Sequence, residues 1–132
     1  MYKSSSSIQS ATADILAAHG VRDVIVSPGS RNASIIEAMS ESSHFRITRV
    51  VDERSAGFIG LGIASITNRP VAVVCTSGTA LLNYAPALAE AYYRDIPLIC
   101  VSADRPAEWI DQNDSQTMRQ PGALANVVKG TY

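Results

Sequence analysis

The chain has 132 residues, a formal net charge of −1, 46% hydrophobic residues and 17% charged residues. That length suggests a single domain over residues 1–132, able to bury about two-thirds of its unfolded surface, and the composition is globular rather than disordered. The scattered bases argue against nucleic acid or anionic membrane as partners, no apolar run approaches the roughly 20 residues that cross a bilayer, and "MYKSSSSIQS" makes a poor signal peptide.

In chain order, residues 4–19 read as a helix with a Ser-rich start, apolar Ile8, Ile15 and Leu16, and Gly20 as the stop. "VRDVIVS" (21–27) reads as a strand broken by "PGSR", and residues 32–40 as a helix with Ile35, Ile36 and Met39 on its apolar face. "FRITRVV" (45–51) is a strand with partial alternation, and residues 53–67 form a helix closed by Asn68 and Pro70. "VAVVC" (71–75) is a buried strand that ends at "TSGT". A single helix is expected over 81–93, then the strand "PLICVS" (97–102), a polar irregular stretch over 104–120, and a last helix beginning at Pro121.

Four strongly apolar strands separated by helices predict the α/β class: a parallel sheet with helices on both faces. The chain stops at "VVKGTY" without an obvious closing element, so a truncation inside a larger protein is expected. Cys75 and Cys100 sit inside apolar runs, without a CxxC motif, and read as buried free thiols in a reducing, cytoplasmic setting. The sequons at Asn32 and Asn113 read as chance in the absence of a secretory signal.

In open α/β sheets, ligands bind beyond the carboxyl ends of the strands. Those ends read "SPGSR" (27–31), "DER" (52–54), "TSGT" (76–79) and "ADRP" (103–106). Any one of them alone is accounted for by turn glycines, helix N-caps or a solvated charge pair. All four are polar, however, each opens a helix or loop with free backbone N–H groups, and two carry an arginine, the natural bidentate partner of a carboxylate or phosphate. Together they predict a site for a small anion without specifying a reaction.

Other motifs are structural or missing. "GFIGLG" (57–62) has the reverse spacing of a dinucleotide fingerprint and lies within a helix, which points to close packing by Gly57, Gly60 and Gly62. There is no phosphate-binding P-loop and no nucleophile elbow. His19 and His44 lie near helix ends as capping or surface residues.

"SPGSR", "VVDERSAGFIGLGIA", "VAVVCTSGTALLNYAPALAEAYYRDIPLICVSADRP" and "DSQTMRQPG" occur in that order. In these segments the chain closely resembles the N-terminal pyrimidine-binding domain of the 2-succinyl-5-enolpyruvyl-6-hydroxy-3-cyclohexene-1-carboxylate synthases. These are thiamine-diphosphate-dependent transferases of menaquinone biosynthesis. The match runs from about Gly20 onward, and the series "DER", "TSGTA", "ADRP" carries most of its specificity.

The resemblance implies that Glu53 is the catalytic glutamate, hydrogen-bonded to N1′ of the aminopyrimidine. It places the cofactor-binding turn at Thr76, Ser77, Gly78 and Thr79, and substrate binding at Ser30, Arg31, Arg105 and Gln116. The implied substrates are 2-oxoglutarate and isochorismate, and the implied assembly is a homodimer or dimer of dimers with active sites between subunits. It also implies a diphosphate and a Mg2+ or Mn2+ ion held by a C-terminal domain this chain lacks, so the fragment alone is expected to be inactive. Asp52 and Arg54 keep a structural reading. Two alternatives stand beside it: another thiamine-diphosphate 2-oxo-acid decarboxylase or carboligase, and a stand-alone α/β module for a small anion.

Overall fold

The computed structural model describes residues 8–132. Its elements are α1 (Ile8–Ala18), β1 (Asp23–Val26), α2 (Ala33–Ser40), β2 (Arg46–Arg49), α3 (Glu53–Thr67), β3 (Val71–Cys75), α4 (Thr79–Asn83), α5 (Ala85–Tyr93) and β4 (Leu98–Ser102), with one-turn 3-10 segments at Ala107–Trp109 and Ala125–Val127. The Ser-rich start expected for the first helix lies outside the described residues. All strand pairs are parallel, in the order β2-β1-β3-β4.

Alternation along the strands divides the core between two faces, as period-2 side-chain geometry requires. Ile25, Val71, Val73 and Cys75 pack with Ala56 and Ala64 of α3, Leu81 of α4, Tyr84 at the junction of α4 and α5, and Leu88 of α5. Val24, Val26, Ala72 and Val74 pack on the other face with Ala13, Leu16 and Met39 from α1 and α2, together with Phe45. The expected parallel sheet with helices on both faces is therefore present.

β2 departs from the expected apolar strand. Of "RITR", only Ile47 is partly buried, because β2 is a sheet edge with one neighbour. That edge is fixed by a bidentate pair: Arg46 Nε donates to Asp23 Oδ1 at 2.9 Å and Nη2 to Oδ2 at 2.7 Å, between residues directly opposite in register.

The helix expected over 81–93 is two helices that meet at Tyr84. Pro86 lies in the first turn of α5, where its missing N–H needs no partner, and so starts a helix instead of extending one. The last expected helix is absent: after Pro121, Gly122 takes φ +77°, which no helix continues, and only the turn Ala125–Val127 forms.

Gly57 and Gly60 pack closely, as expected. A Cβ on Gly57 would fall 3.0 Å from Ala87 Cβ, and one on Gly60 would fall 2.8 Å from Val73 Cγ1. Gly62 differs, with no atom within 4 Å of a Cβ placed there. Both cysteines are free, Cys75 buried and Cys100 only half-buried. His44 is more than a surface residue, since its Nε2 lies 2.9 Å from the Val21 carbonyl.

Candidate functional site

After β1 the chain moves to one side to form β2, then returns to the other side of β1 to form β3. The crevice of such a sheet opens where the direction reverses, between the carboxyl ends of β1 and β3. The two segments beyond those ends are "SPGSR" and "TSGT". They touch closely: a Cβ on Gly29 would fall 2.6 Å from the Thr76 Cβ, so only glycine fits at residue 29.

The first segment is shaped by Asn32, which sequence reasoning did not select. Its carboxamide is buried, accepts from Gly29 N–H at 2.8 Å and donates to the Ser27 carbonyl at 2.9 Å. This clamp turns Ser30 and Arg31 outward, both exposed. Beneath it, the buried Tyr84 hydroxyl donates to the Val74 carbonyl at 3.1 Å and lies 3.2 Å from Ser27 Oγ. Burial pushes the Tyr84 phenol well above its ordinary pKa, against the opposing pull of the Ser27 bond.

The second segment carries Thr76 and Ser77, whose hydroxyls are buried and have no hydrogen-bond partner among the described residues. Buried hydroxyls are nearly always satisfied, so two adjacent exceptions at a strand end suit a bound polar group. Gly78 takes φ +81° and ψ −145°, and its amide donates to Gln120 Oε1 at 2.6 Å. Gln120 is buried, also donates to the Ala103 carbonyl at 3.0 Å, and was missed in the sequence. Its signal lay in "RQPG", where an amide side chain stands just before a proline turn. Thr79 is exposed and begins α4.

At the end of β2, Asp52 and Glu53 divide two tasks. Asp52 is the N-cap of α3: its Oδ1 accepts from Ser55 N–H at 2.7 Å, and that bond holds its carboxyl below the ordinary carboxylate range. Glu53 is the first residue of the helix, half-buried, and makes no ion pair among the described residues. Its charge is felt in the core. Cys75 is raised first by its hydrogen bond with Cys100, then by burial, and also by the charges of Cys100 and Glu53.

Beyond β4, the Arg105 side chain is only 9% exposed. Nη2 donates to the Ser115 carbonyl at 2.5 Å, Nη1 lies 3.3 Å from Asp114 Oδ2, and Nε is buried without a partner among the described residues. The guanidinium carbons of Arg105 and Arg31 lie 5.6 Å and 5.9 Å from the centroid of the Trp109 ring. Gln116 has φ +56° and an exposed side chain, and its backbone carbonyl crowds the turn: a Cβ on Gly78 would fall 2.8 Å from it. The fold thus gathers the "SPGSR" and "TSGT" segments directly, Arg31 and Arg105 through Trp109, and Gln116 through its backbone. Glu53 begins α3 just beyond β2, the neighbour of β1, and its charge is felt at Cys75 and Tyr84 beneath these segments.

The geometry can be set beside known proteins. Residues 7–123 match the thiamine pyrophosphate enzyme N-terminal TPP binding domain family. A Desulfotalea psychrophila protein named 2-succinyl-5-enolpyruvyl-6-hydroxy-3-cyclohexene-1-carboxylate synthase is 57% identical over 115 residues, covering 87% of this chain and 21% of that protein. A Porphyromonas gingivalis protein of the same name is 55% identical over 116 residues, covering 88% of this chain and 20% of that protein. The chain therefore spans about a fifth of the length of these relatives. Benzoylformate decarboxylase from Polynucleobacter necessarius superposes with a TM-score of 0.82 at 24% identity, over 97% of this chain and 24% of that one, and shares the fold. With a family match that runs from before α1 past β4, over residues 7–123 of 132, this chain belongs to the thiamine pyrophosphate enzyme N-terminal TPP binding domains.

Proposed function

We propose that the chain is the pyrimidine-binding part of a 2-succinyl-5-enolpyruvyl-6-hydroxy-3-cyclohexene-1-carboxylate synthase. In this reading the whole enzyme decarboxylates 2-oxoglutarate and adds the succinyl unit to isochorismate, in menaquinone biosynthesis. The observation that carries it is the similarity to proteins of that name, 51–58% identical over most of this chain. The decarboxylase alternative rests on a likeness of fold alone.

The residues present suit thiamine diphosphate. The hydroxyls of Thr76 and Ser77, unpartnered among the described residues, offer hydrogen bonds to its ring, beside the left-handed turn at Gly78. When bound, the cofactor supplies the electron sink for decarboxylation and carbon–carbon bond formation. Glu53, which makes no ion pair among the described residues, would hold the aminopyrimidine N1′ of the bound cofactor and share a proton there. Thr76, Ser77, Gly78 and Thr79 orient that ring. Ser30, Arg31, Arg105 and Gln116 hold the carboxylates and hydroxyl of isochorismate, the arginines by planar paired hydrogen bonds.

We place the diphosphate and its Mg2+ or Mn2+ on the remainder of the enzyme. Among the described residues, no group of three or more His, Cys, Asp or Glu side chains is placed to hold a metal ion. The working unit in this reading is a cytoplasmic homodimer or dimer of dimers, with this domain facing the diphosphate-binding part of a partner subunit. No helix among the described residues is long and apolar enough to cross a membrane.

The test is Glu53→Gln in the full-length protein. Decarboxylation of 2-oxoglutarate should fall by about 100-fold or more, the range of a lost proton-transfer group, with thiamine diphosphate still bound. Undiminished decarboxylation would remove Glu53 from the mechanism.

A further inference from the structure

Trp109 is the chain's one tryptophan, and it is 43% exposed in the 3-10 turn that follows "ADRP". Two guanidinium groups lie over its ring, Arg31 at 5.9 Å and Arg105 at 5.6 Å. Such contacts occur about once per 70–80 residues, so two in a chain of this size is ordinary. That both fall on one ring is not, nor is the origin of the two cations. Arg31 follows β1 and Arg105 follows β4, strands that are not neighbours because β3 lies between them. Two strand spacings put their chain positions on the order of 10 Å apart.

Like charges repel, and bringing them together is unfavourable without a compensating group. The electron-rich face of an indole supplies part of that compensation, and Trp does so better than Tyr or Phe. Arg105 has other ties, to the Ser115 carbonyl and the Asp114 carboxylate. Arg31 makes no ion pair among the described residues, and the Trp109 ring is its charge-compensating contact. Just beyond the end of the strand between them stand the hydroxyls of Thr76 and Ser77, unpartnered among the described residues. The remaining compensation for two cations above two free hydroxyls is an anion with more than one carboxylate.

We propose that Trp109 is a positioning residue that holds the Arg31 and Arg105 guanidinium groups over one ring, so that together they receive a dicarboxylate. This rests on the reading that those arginines bind the carboxylates of isochorismate. Trp109 touches no reacting atom in this role. It acts only through the two arginines.

The experiment compares Trp109→Leu, which keeps bulk without a ring, with Trp109→Phe, which keeps a weaker ring, in the full-length enzyme. Trp109→Leu should raise KM for isochorismate about 5- to 30-fold, from the loss of two contacts. The turnover number at saturating isochorismate and KM for 2-oxoglutarate should each change less than about twofold. Trp109→Phe should recover most of the loss. Equal effects of Leu and Phe, an unchanged isochorismate KM, or a parallel rise in KM for 2-oxoglutarate would each overturn the proposal. If Trp109→Leu does not fold, Trp109→Met serves as the ringless variant. Arg31→Ala and Arg105→Ala separate the two levels. If both raise isochorismate KM while Trp109→Leu does not, only the role of Trp109 fails; if neither does, the substrate reading itself fails.

Discussion

The Gly78 amide donates to Gln120 Oε1 at 2.6 Å, although 42 residues separate the two. The same carboxamide donates to the Ala103 carbonyl at 3.0 Å, so Gln120 ties the end of β3 to the end of β4. Gln120→Ala would leave a buried donor and a buried acceptor unpaired, at about 1–3 kcal/mol each. Hydrogen exchange of the amides at 76–80 in the full-length protein should quicken at least tenfold. Unchanged protection there would show that the tie is dispensable.

Backbone strain and crowding coincide at Gly78, and a second glycine separates them. Gly78 has φ +81° with ψ −145°, a region nearly closed to other residues, and a Cβ would meet the Gln116 carbonyl at 2.8 Å. Gly122 has φ +77° with open space around it. Gly78→Ala should destabilise by about 2–4 kcal/mol and Gly122→Ala by about 1 kcal/mol, from strain with and without a clash. Thermal unfolding midpoints rank the two, and equal shifts would remove crowding from the account.

Within α3, two glycines should respond with opposite sign. Gly60→Ala drives a methyl toward Val73 and should destabilise by about 1–3 kcal/mol. Gly62→Ala meets nothing within 4 Å and should stabilise the helix by up to about 1 kcal/mol through propensity alone. Denaturant midpoints of the two variants test this.

The N-cap of α3 should depend on pH. The Asp52 carboxyl is held below its ordinary value by the Ser55 amide, so the cap's contribution is fully present above the unfolded pKa of about 3.9. It is lost as pH falls through the lower, folded value. Asp52→Ala should therefore quicken exchange of the Ser55 and Ala56 amides at neutral pH but make little difference in strong acid. Asp52→Asn keeps an equally good cap and should remove the pH dependence.

Asp114 lies 3.3 Å from Arg105 Nη1 and competes with any anion for that guanidinium. The pair is partly exposed on the Asp114 side, so its strength is modest. In the proposed reading, Asp114→Asn in the full-length protein should lower KM for isochorismate about two- to fivefold without altering KM for 2-oxoglutarate. A higher isochorismate KM would mean that Asp114 positions Arg105 instead of competing for it.

Much of the fold was legible because its signals are local. The bounds 53–67 and 71–75 hold to the residue: Asp52 caps the helix, Asn68 ends it in a left-handed conformation at φ 53°, and Pro70 precedes a fully buried strand. The break at Tyr84 was not legible, because the apolar pattern runs unbroken through Pro86 and only packing decides whether that proline begins a helix or bends one. The strand ends were legible as a class through the position rule for α/β sheets. Asn32, Gln120 and Trp109 were not, because each takes its role from a partner whose place is set by the sheet.

By itself the sequence determined the kinds of elements, their order, the parallel sheet and the four polar strand ends, since periodicity, caps and turn residues act within a few positions of themselves. Only the tertiary structure decided that β1 lies between β2 and β3, which brings Gly29 against Thr76 and makes a crevice of two separate loops. It also brought Arg31 and Arg105 to a single indole. The physical reason is that pairing of strands distant in sequence follows from burying both sheet faces at once, a condition on the whole chain that no local window contains.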